Sequence, residues 1–436
     1  MKRLDCPPTA PPSHVLDADG RYLIRGYDRG PAFSSFLPGV AGPAGVPLWC
    51  MYVNRAQAIV SFGVHNKDQA IVEFLPATWA YQLVGVQGFR TFCKIDGQYY
   101  EPFALDPVGG TQGQRAMAIE PDALTLTETG APGGLDFEVA YFSPVNQPLG
   151  ALVRRVRVTN RARQARQLEL LDGLPLILPA GFTDLGMKQL RHIHEAYAAV
   201  RLACDHVPFY AAKVVAHDEA EVTPVTHGHF YAAWLVTDST LKPIEAFVDP
   251  HVIFGGGQDL ITPRRFIATE RLDRSAQLWE NRLPCALAPI EARLAPGESI
   301  EWIALIGFAP SEDALARFLP QFTQAADFDA ARAASRDLVT SVVEPTATFS
   351  SLPLLDAYTR QNWLDNVLRG GVPRVLPARN GPALLHLYAR RHGDLERDYN
   401  YFILPPHPLS SGAGNYRDIC QNRRCDVWFF PEIGDL

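Results

Sequence analysis

Short hydrophobic segments separated by turns fill the chain from about residue 26 to residue 309. The segments are rich in Val, Ile and Phe, which favour β-strands, and clusters of Gly and Pro such as 131–134 separate them. The clearest strand segments are 57–64, 70–75, 151–159, 167–171, 230–236 and 299–308. So many short strands can bury their apolar faces only against each other, which predicts packed antiparallel sheets, most simply a sandwich.

Charged residues in two of these segments carry further expectations. In 151–159, residues 153, 155 and 157 share one face of the strand, and residues 152, 154, 156 and 158 share the other. The basic side chains Arg154, Arg155 and Arg157 fit either a phosphate or nucleic-acid site or a set of outward-facing sheet residues, and we interpret them as outward-facing. The strand at 167–171 is expected to end at the turn formed by Asp172 and Gly173.

The pattern becomes helical after residue 310. Ser311 is a typical N-cap followed by acidic residues, and Pro320 is expected to end or kink this helix. Two more helices are predicted, one with an apolar stripe from Phe328 to Val342 and one over 352–368 that ends at a Gly-Gly pair. A weaker helical pattern covers 184–197. The predicted organisation is an N-terminal arm (1–25), a β domain (26–309), a helical linker (310–350) and the start of a third domain (351–436).

Composition and charge exclude several classes of protein. The chain has 40 Lys and Arg against 47 Asp and Glu, and its net charge of −7 leaves no basic surface for nucleic acid. No apolar run is long enough for a membrane span, and no apolar stretch follows the basic first residues as in a secretory signal. The seven cysteines, Cys420 and Cys425 among them, are scattered like reduced thiols, so we expect a cytoplasmic protein.

Histidine pairs are the best candidates for metal ligands. The chain contains two His-x-His pairs, His192 with His194 (followed by Glu195) and His227 with His229. On a strand, two imidazoles with this spacing would share a face. No further ligands are identified for either set. We therefore interpret these histidines as surface or hydrogen-bonded side chains and assign no metal.

The densest chemistry lies near the C-terminus, in segments 397–401 and 412–424. Both combine Arg, Asp, Asn and Tyr, and the second segment also contains Gln and glycines. Carboxylates accept hydrogen bonds from vicinal hydroxyls, Arg and Asn donate or bridge, and Tyr stacks on a pyranose face, so the mixture suits a sugar. The alternative is a solvated loop that contains an Arg–Asp ion pair.

Several stretches in order along the chain resemble the glycoside phosphorylases typified by cellobiose phosphorylase. The most specific is 415–422, Asn-Tyr-Arg-Asp-Ile-Cys-Gln-Asn, which is similar to the Gly-Tyr/Trp-Arg-Asp-x-x-Gln-Asp box of that family. Shorter similarities occur at 47–55, 155–160 with 168–170, 294–299 and 361–364. The resemblance implies a mainly β fold with C-terminal helices: a galactose mutarotase-like β-supersandwich, a helical linker and the beginning of an (α/α)6 barrel.

The resemblance also implies a sugar site. In the family, the Arg and Asp of the box bind the glucosyl unit in the −1 subsite, so Arg417 and Asp418 are expected to grip the sugar. Tyr416 and Gln421 would support them. The segment at 397–400 looks like that of larger relatives acting on β-glucan oligosaccharides, and two of its residues are expected to assist: Arg397 and Asp398.

This chain departs from the family pattern in three ways. Asn422 stands where the family usually has Asp, and the early Ser-Arg-Glu motif of the family has no clear counterpart. A twelve-helix barrel needs at least ~180 residues. Only 68 residues follow position 368 in this chain of 436. We therefore expect the barrel to be incomplete, with the general acid and the phosphate-binding residues beyond the end of the chain.

The family reaction is inverting phosphorolysis. A protonated carboxyl group gives its proton to the glycosidic oxygen while inorganic phosphate, a co-substrate, attacks the anomeric carbon from the opposite face. We interpret the chain as the N-terminal portion of such an enzyme, a natural split subunit or the product of a truncated gene, that binds a disaccharide or oligosaccharide and needs no other cofactor. Its expected partner is a second copy or a chain carrying the rest of the barrel. The alternatives are a non-catalytic carbohydrate-binding or scaffold protein and an inverting glycoside hydrolase of the same architecture.

Overall fold

The secondary structure is mainly β, with helices concentrated in the C-terminal part. A computed structural model describes residues 11–17, 20–105, 113–216, 220–257, 259–391, 403–412, 414, 416, 420–421 and 423–436. The strands are β1 (Ser13–Leu16), β2 (Tyr22–Arg25), β3 (Ser34–Leu37), β4 (Trp49–Val53), β5 (Ile59–Gly63), β6 (Ala70–Val72), β7 (Arg90–Ile95), β8 (Gln98–Tyr100), β9 (Gln114–Ile119), β10 (Ala123–Ala131), β11 (Leu135–Phe142), β12 (Ala151–Asn160), β13 (Arg166–Leu174), β14 (Ala198–Ala203), β15 (Val207–Ala212), β16 (Gly228–Thr237), β17 (Thr240–Ile244), β18 (Ala286–Leu294), β19 (Ser299–Ala309), β20 (Val372–Leu376) and β21 (Ala383–Leu387). The helices are α1 (Ala77–Gln87), α2 (Asp184–Gln189), α3 (Arg191–Tyr197), α4 (Pro250–Phe254), α5 (Arg264–Ala268), α6 (Glu312–Phe318), α7 (Ala325–Val343), α8 (Pro353–Gly370) and α9 (Asp426–Phe429).

The strands form antiparallel sheets. The largest has the order β1-β2-β9-β10-β11-β12-β19-β16-β15-β14, with β17 also paired to β16. A second sheet has the order β18-β13-β7-β8, a third has the order β3-β4-β5-β6, and β20 and β21 form a hairpin. The strand segments predicted from the sequence correspond to β5, β6, β12, β13, β16 and β19. The prediction of a mainly β fold with C-terminal helices is confirmed.

The large sheet is covered on both faces. Alternate residues of β12 and β19, such as Val156 and Ile306, pack into one core with residues of the second sheet, such as Leu170. The residues between them point to the opposite face, where Ile303 belongs to a core that also contains Phe328 of α7. Because successive side chains of a strand point to opposite faces, one strand contributes to both cores.

Arg154 breaks this apolar pattern at the centre of the first core. It lies on the inner face of β12 and its side chain is 0% exposed. Its guanidinium donates to both carboxylate oxygens of Asp172, with distances of 2.6 Å from Nη2 and 3.0 Å from Nε. The prediction that Arg154 faces outward is therefore wrong, because this arginine shares its face with core residues. Arg155 and Arg157 do lie on the other face, where both bind Glu301.

Asp172 is a core residue rather than a turn residue. The prediction that the strand ends at Asp172 is wrong, since β13 continues to Leu174. Its carboxylate also accepts hydrogen bonds from Thr91 Oγ1 (2.6 Å) and Trp302 Nε1 (2.9 Å). Burial alone would lower the pKa of Arg154, but the nearby carboxylate of Asp172 raises it by more, so the guanidinium of Arg154 stays protonated.

The C-terminal helices begin and end at the residues that their sequence signals indicate. Ser311 Oγ accepts a hydrogen bond from the amide of Ala314, and α6 ends two residues before Pro320. Helix α8 ends at Gly370 and is capped by Gly371, whose φ of 87° favours glycine. The weak helical pattern at 184–197 corresponds to α2 and α3, whereas α1 was not predicted. Among the described residues, no helix combines the length and apolar character needed to cross a membrane.

We expect Asp172→Ala to lower the free energy of unfolding by about 3–5 kcal/mol, because it leaves the Arg154 guanidinium buried without a counter-charge. Urea denaturation followed by tryptophan fluorescence measures the change. Arg157→Ala, on the strand that carries Arg154, is the control, since the Arg157 side chain is 49% exposed in its pair with Glu301. That loss should stay below about 1 kcal/mol, and equal losses in both variants would contradict a central role for the buried pair.

Candidate functional site

A small cleft lies where the sandwich meets helix α8. It encloses about 120 Å³. This is room for a few water molecules or one polar group of a ligand rather than a whole sugar. Strand β3 and the link between β9 and β10 form one side, and α8 and the residue Arg390 form the other. The polar side chains at the cleft are Ser34, Ser35, Tyr52, Glu120, Gln361, Asp365, Arg369 and Arg390.

Arginines of α7 hold the acidic side of the cleft in place. Glu120 lies between β9 and β10 and binds Arg332 (2.7 Å) and Arg336 (2.6 Å). Burial raises the pKa of the neighbouring Asp122, an effect that Arg336 opposes and Glu120 reinforces. These ion pairs attach α7 to the large sheet at the edge of the cleft.

Arg390 places a positive charge in the opposite wall. It is 1% exposed, and its guanidinium carbon lies 5.1 Å from the centroid of the Phe36 ring. Burial lowers the pKa of Arg390 to about 10, while the charge of Asp365 acts in the opposite direction. The guanidinium is therefore protonated at neutral pH, and such a group binds carboxylate, phosphate or hydroxyl oxygens.

The first predicted sugar-binding segment is closed by a pair of residues next to Arg390. Arg391 and Ile403 exchange two backbone hydrogen bonds, each of 2.9 Å. The chain between them contains Arg397 and Asp398, which both lie outside the described residues. The described residues that flank this segment are therefore paired next to Arg390, which lines the cleft.

The second predicted segment is attached to the same wall and to α8. The amide of Gly412 donates to the carbonyl of Ala389 (2.7 Å), and Arg423 Nε donates to the carbonyl of Gly370 (2.6 Å). In the sequence, the box at 415–422 lies between these two residues. Described residues that flank or end both predicted segments are thus hydrogen-bonded next to Arg390 and at the end of α8, and Arg390 and Arg369 of α8 line the cleft.

Two of the six predicted sugar-binding residues belong to the described part of the chain. Tyr416 is 85% exposed, and Gln421 is also exposed. An exposed tyrosine ring is available for stacking on a sugar. Arg417 and Asp418, like Arg397 and Asp398, lie outside the described residues, so the assignment of all six to a sugar site stays a prediction.

The sequence analysis did not identify the polar residues of the cleft itself. Glu120, Asp365 and Arg390 are far apart in the chain and belong to no shared motif, and the fold alone brings them together. One signal in the sequence could have identified Arg390. It directly follows the largely apolar run 383–389, and a charged side chain next to a buried strand has to find a partner.

The histidine pair on α3 does not have the arrangement expected of a strand. Because His192 and His194 lie on a helix, a spacing of two places them on different faces. The side chain of His192 is 94% exposed, whereas His194 is buried against Phe182 with the ring centroids 4.9 Å apart. The described residues contain no group of three or more His, Cys, Asp or Glu side chains that could hold a metal ion.

The second histidine pair shares a face, as the strand spacing predicts. The rings of His227 and His229 both contact Phe308, at centroid distances of 5.6 Å and 6.1 Å. His229 Nδ1 lies 2.6 Å from the carbonyl oxygen of Leu178. The pKa of His229 is lowered to about 4, chiefly by burial; the hydrogen bond with the Leu178 carbonyl opposes this shift and nearby His227 adds to it. His229 is therefore neutral at physiological pH.

Cys420 and Cys425 are exposed free thiols.

Comparison with known proteins finds likeness only among solved structures. No family model and no curated protein matches the chain. A bacterial glucoamylase in complex with acarbose has a TM-score of 0.38 at 10% identity, over 72% of this chain and 39% of the other. A human-microbiome protein described as a kojibiose phosphorylase has a TM-score of 0.29 at 7% identity, over 81% and 33%. A galactose mutarotase-like protein from Clostridium acetobutylicum has a TM-score of 0.31 at 9% identity, over 68% and 98%.

These likenesses are distant. The chain spans 39% and 33% of the length of the first two structures. Both of those proteins are named as carbohydrate-active enzymes, and neither is a cellobiose phosphorylase. With TM-scores below 0.5, the likenesses carry no conclusion about what this chain does.

We expect the protein to lose stability as the pH falls from about 6.5 to about 4. The pKa of His229 is about 4 in the folded state against 6.5 for a free side chain, so the unfolded chain takes up a proton that the folded chain does not. The stability that neutral His229 contributes is complete above pH 6.5 and is lost as the pH falls through 4, to a total of at most about 3 kcal/mol.

The measurement is the urea midpoint at pH 7 and at pH 4.5, for the parent protein and for His229→Asn, which keeps a polar group able to bond the Leu178 carbonyl. The variant should show a smaller midpoint difference between the two pH values. An identical difference in both proteins would exclude His229 as a source of the acid sensitivity.

Proposed function

We propose that this chain is part of a carbohydrate-active protein and holds a sugar at the cleft beside Arg390. The observation that supports the proposal is that described residues flanking or ending both predicted segments are hydrogen-bonded beside the cleft, to Ala389, Arg391 and Gly370. The cleft is too small for a whole sugar. A bound sugar would therefore lie mainly against the two segments and insert one polar group into the cleft.

The similarity of the box at 415–422 to that of the phosphorylases supports a finer proposal. The chain would be the N-terminal portion of a glycoside phosphorylase that cleaves a β-glucosidic bond with inorganic phosphate and releases a sugar 1-phosphate. The carboxylate of Asp418 accepts hydrogen bonds from sugar hydroxyls, and the guanidinium of Arg417 donates to them. The supporting contacts come from Tyr416, Gln421, Arg397 and Asp398.

Helix α8 has a second apolar face that the described residues leave uncovered. Leu364 and Val367 are buried on one side, whereas Leu354, Leu355 and Tyr358 are 59%, 50% and 65% exposed on the other. A helix that is apolar on two faces is typical of one that packs against neighbours on both sides. We propose that helices of a partner chain cover this face, continue the helical domain and supply the general acid and the phosphate-binding residues.

We expect Tyr358→Glu to reduce the binding of an apolar dye by the isolated chain without changing its melting temperature, because the side chain is exposed in the described structure. Dye fluorescence, thermal melting and light scattering with size-exclusion chromatography provide the readouts. Leu202→Glu, at a leucine that is 42% exposed on β14, is the control. A dimer of the isolated chain that dissociates in Tyr358→Glu would show that a second copy, not a different chain, covers the face.

We expect Asp418→Ala to weaken the binding of glucose and cellobiose at least tenfold, because hydrogen bonds to a charged group contribute about 1.5–3 kcal/mol each. Isothermal titration calorimetry measures the affinity. Asp435→Ala, at an exposed carboxylate in the same part of the chain, is the matched control and should bind as the parent does. Unchanged affinity in Asp418→Ala would remove Asp418 from the site.

Phosphate release from glucose 1-phosphate, with glucose or cellobiose as acceptor, tests the finer proposal on the same proteins. The chain alone is expected to show no turnover because the general acid comes from the partner. Robust turnover by the chain alone would contradict that assignment. Hydrolysis of cellobiose without phosphate would favour the inverting hydrolase instead.

A further inference from the structure

A groove of about 810 Å³ runs along the edge of the sandwich, and it shares no lining residue with the cleft. Its floor is formed by β7, β13 and β18 of the second sheet. One wall is β17, and the other is the segment that follows α5, up to Ser275. This volume is in the range of ligand pockets in proteins.

Three charged side chains cross the floor in one row. Glu169 of β13 lies opposite Lys94 of β7 on one side and opposite Glu291 of β18 on the other. Lys94 Nζ binds Glu169 (3.0 Å) and the carbonyl of Thr269 (2.7 Å). The carboxylates of Glu169 and Glu291 repel each other, because they lie directly opposite in the sheet. Glu291 is exposed, which keeps its oxygens available to a ligand.

Contacts within the protein fix the walls of the groove in place. The Lys94 ammonium lies 4.7 Å from the centroid of the Phe266 ring, and the Arg274 guanidinium carbon lies 4.4 Å from that of Phe247. Arg274 Nη2 also donates to the carbonyl of Glu245 (2.6 Å). Because these contacts already fix the walls, binding in the groove requires little further ordering of them.

The charge of the groove is nearly balanced. Its lining contains four Lys or Arg and five Asp or Glu side chains, so the groove has no strong preference for an anion or a cation. Four of these side chains make no hydrogen bond or ion pair with the described part of the chain: Lys242, Glu270, Arg271 and Glu291. They offer two donors and two acceptors, and apolar residues such as Ile244 and Pro289 lie between them.

We propose that this groove binds a neutral oligosaccharide. Sugar hydroxyls both donate and accept hydrogen bonds, so Glu270 and Glu291 can accept from them while Lys242 and Arg271 donate. The apolar lining can contact the C–H faces of the rings. The inference rests on the proposed function only for the class of ligand. An oligosaccharide held in the groove would have a second contact with the protein, and this raises the local concentration of the saccharide at the cleft.

The test uses the full chain carrying Asp418→Ala, so that binding at the predicted box is removed. Cellopentaose and maltopentaose are titrated into this protein by calorimetry, and binding of either one counts. Glu291→Ala or Lys242→Ala is then introduced into the protein that carries Asp418→Ala. Each should weaken pentaose binding about five- to tenfold, as expected for the loss of one hydrogen bond. Arg293→Ala, at an exposed residue on the same strand outside the groove, is the matched control.

The outcomes separate the two proposals. Pentaose binding that survives Asp418→Ala and falls in the groove variants supports the groove. Equal affinity in the groove variants and in Arg293→Ala overturns it, as does the absence of any pentaose binding to the Asp418→Ala protein. The proposed function fails instead if Asp418→Ala leaves the affinity for glucose and cellobiose unchanged, whatever the pentaoses do.

Discussion

The ion pair between Arg154 and Asp172 joins the two sheets on which the rest of the structure is built. Arg154 belongs to the large sheet and Asp172 to the second sheet, and the same carboxylate accepts from Trp302 of the first and Thr91 of the second. A buried charge costs several kcal/mol unless it is paired and hydrogen-bonded. Because Asp172 binds residues of both sheets, the pair is a direct polar contact between them in the middle of the core.

The candidate cleft depends on this arrangement. Its sandwich side comes from strands held by the large and third sheets, and Glu120 at the edge of the large sheet anchors α7 through Arg332 and Arg336. Helix α8 follows α7 and brings Asp365 and Arg369 to the opposite side. Helix α7 therefore acts as a positioning element, since its ion pairs with Glu120 hold the helices beside the sandwich at the cleft.

The cleft and the groove differ in electrostatic character. In the cleft, a buried guanidinium faces hydroxyls and carboxylates in a small volume, which suits one strongly bound polar group. In the groove, exposed charges of both signs are spread over a much larger volume, which suits many weaker contacts along an extended neutral molecule. A protein that acts on a long saccharide can use both kinds of contact, one to orient the reacting sugar and one to retain the chain.

Local pattern by itself determined much of this protein. Strand segments, the cap at Ser311 and the glycine stop of α8 are readable from neighbouring residues, because strand alternation and helix capping are local effects. The alternation even placed Arg154 on the same face as Leu152 and Val156. Only the tertiary structure decided that this face is the core, that Asp172 pairs with Arg154, and that Glu120, Asp365 and Arg390 meet at one cleft. Those outcomes depend on which strands pair and which faces become buried, and contacts between residues far apart in the chain leave no periodic signal in a single sequence.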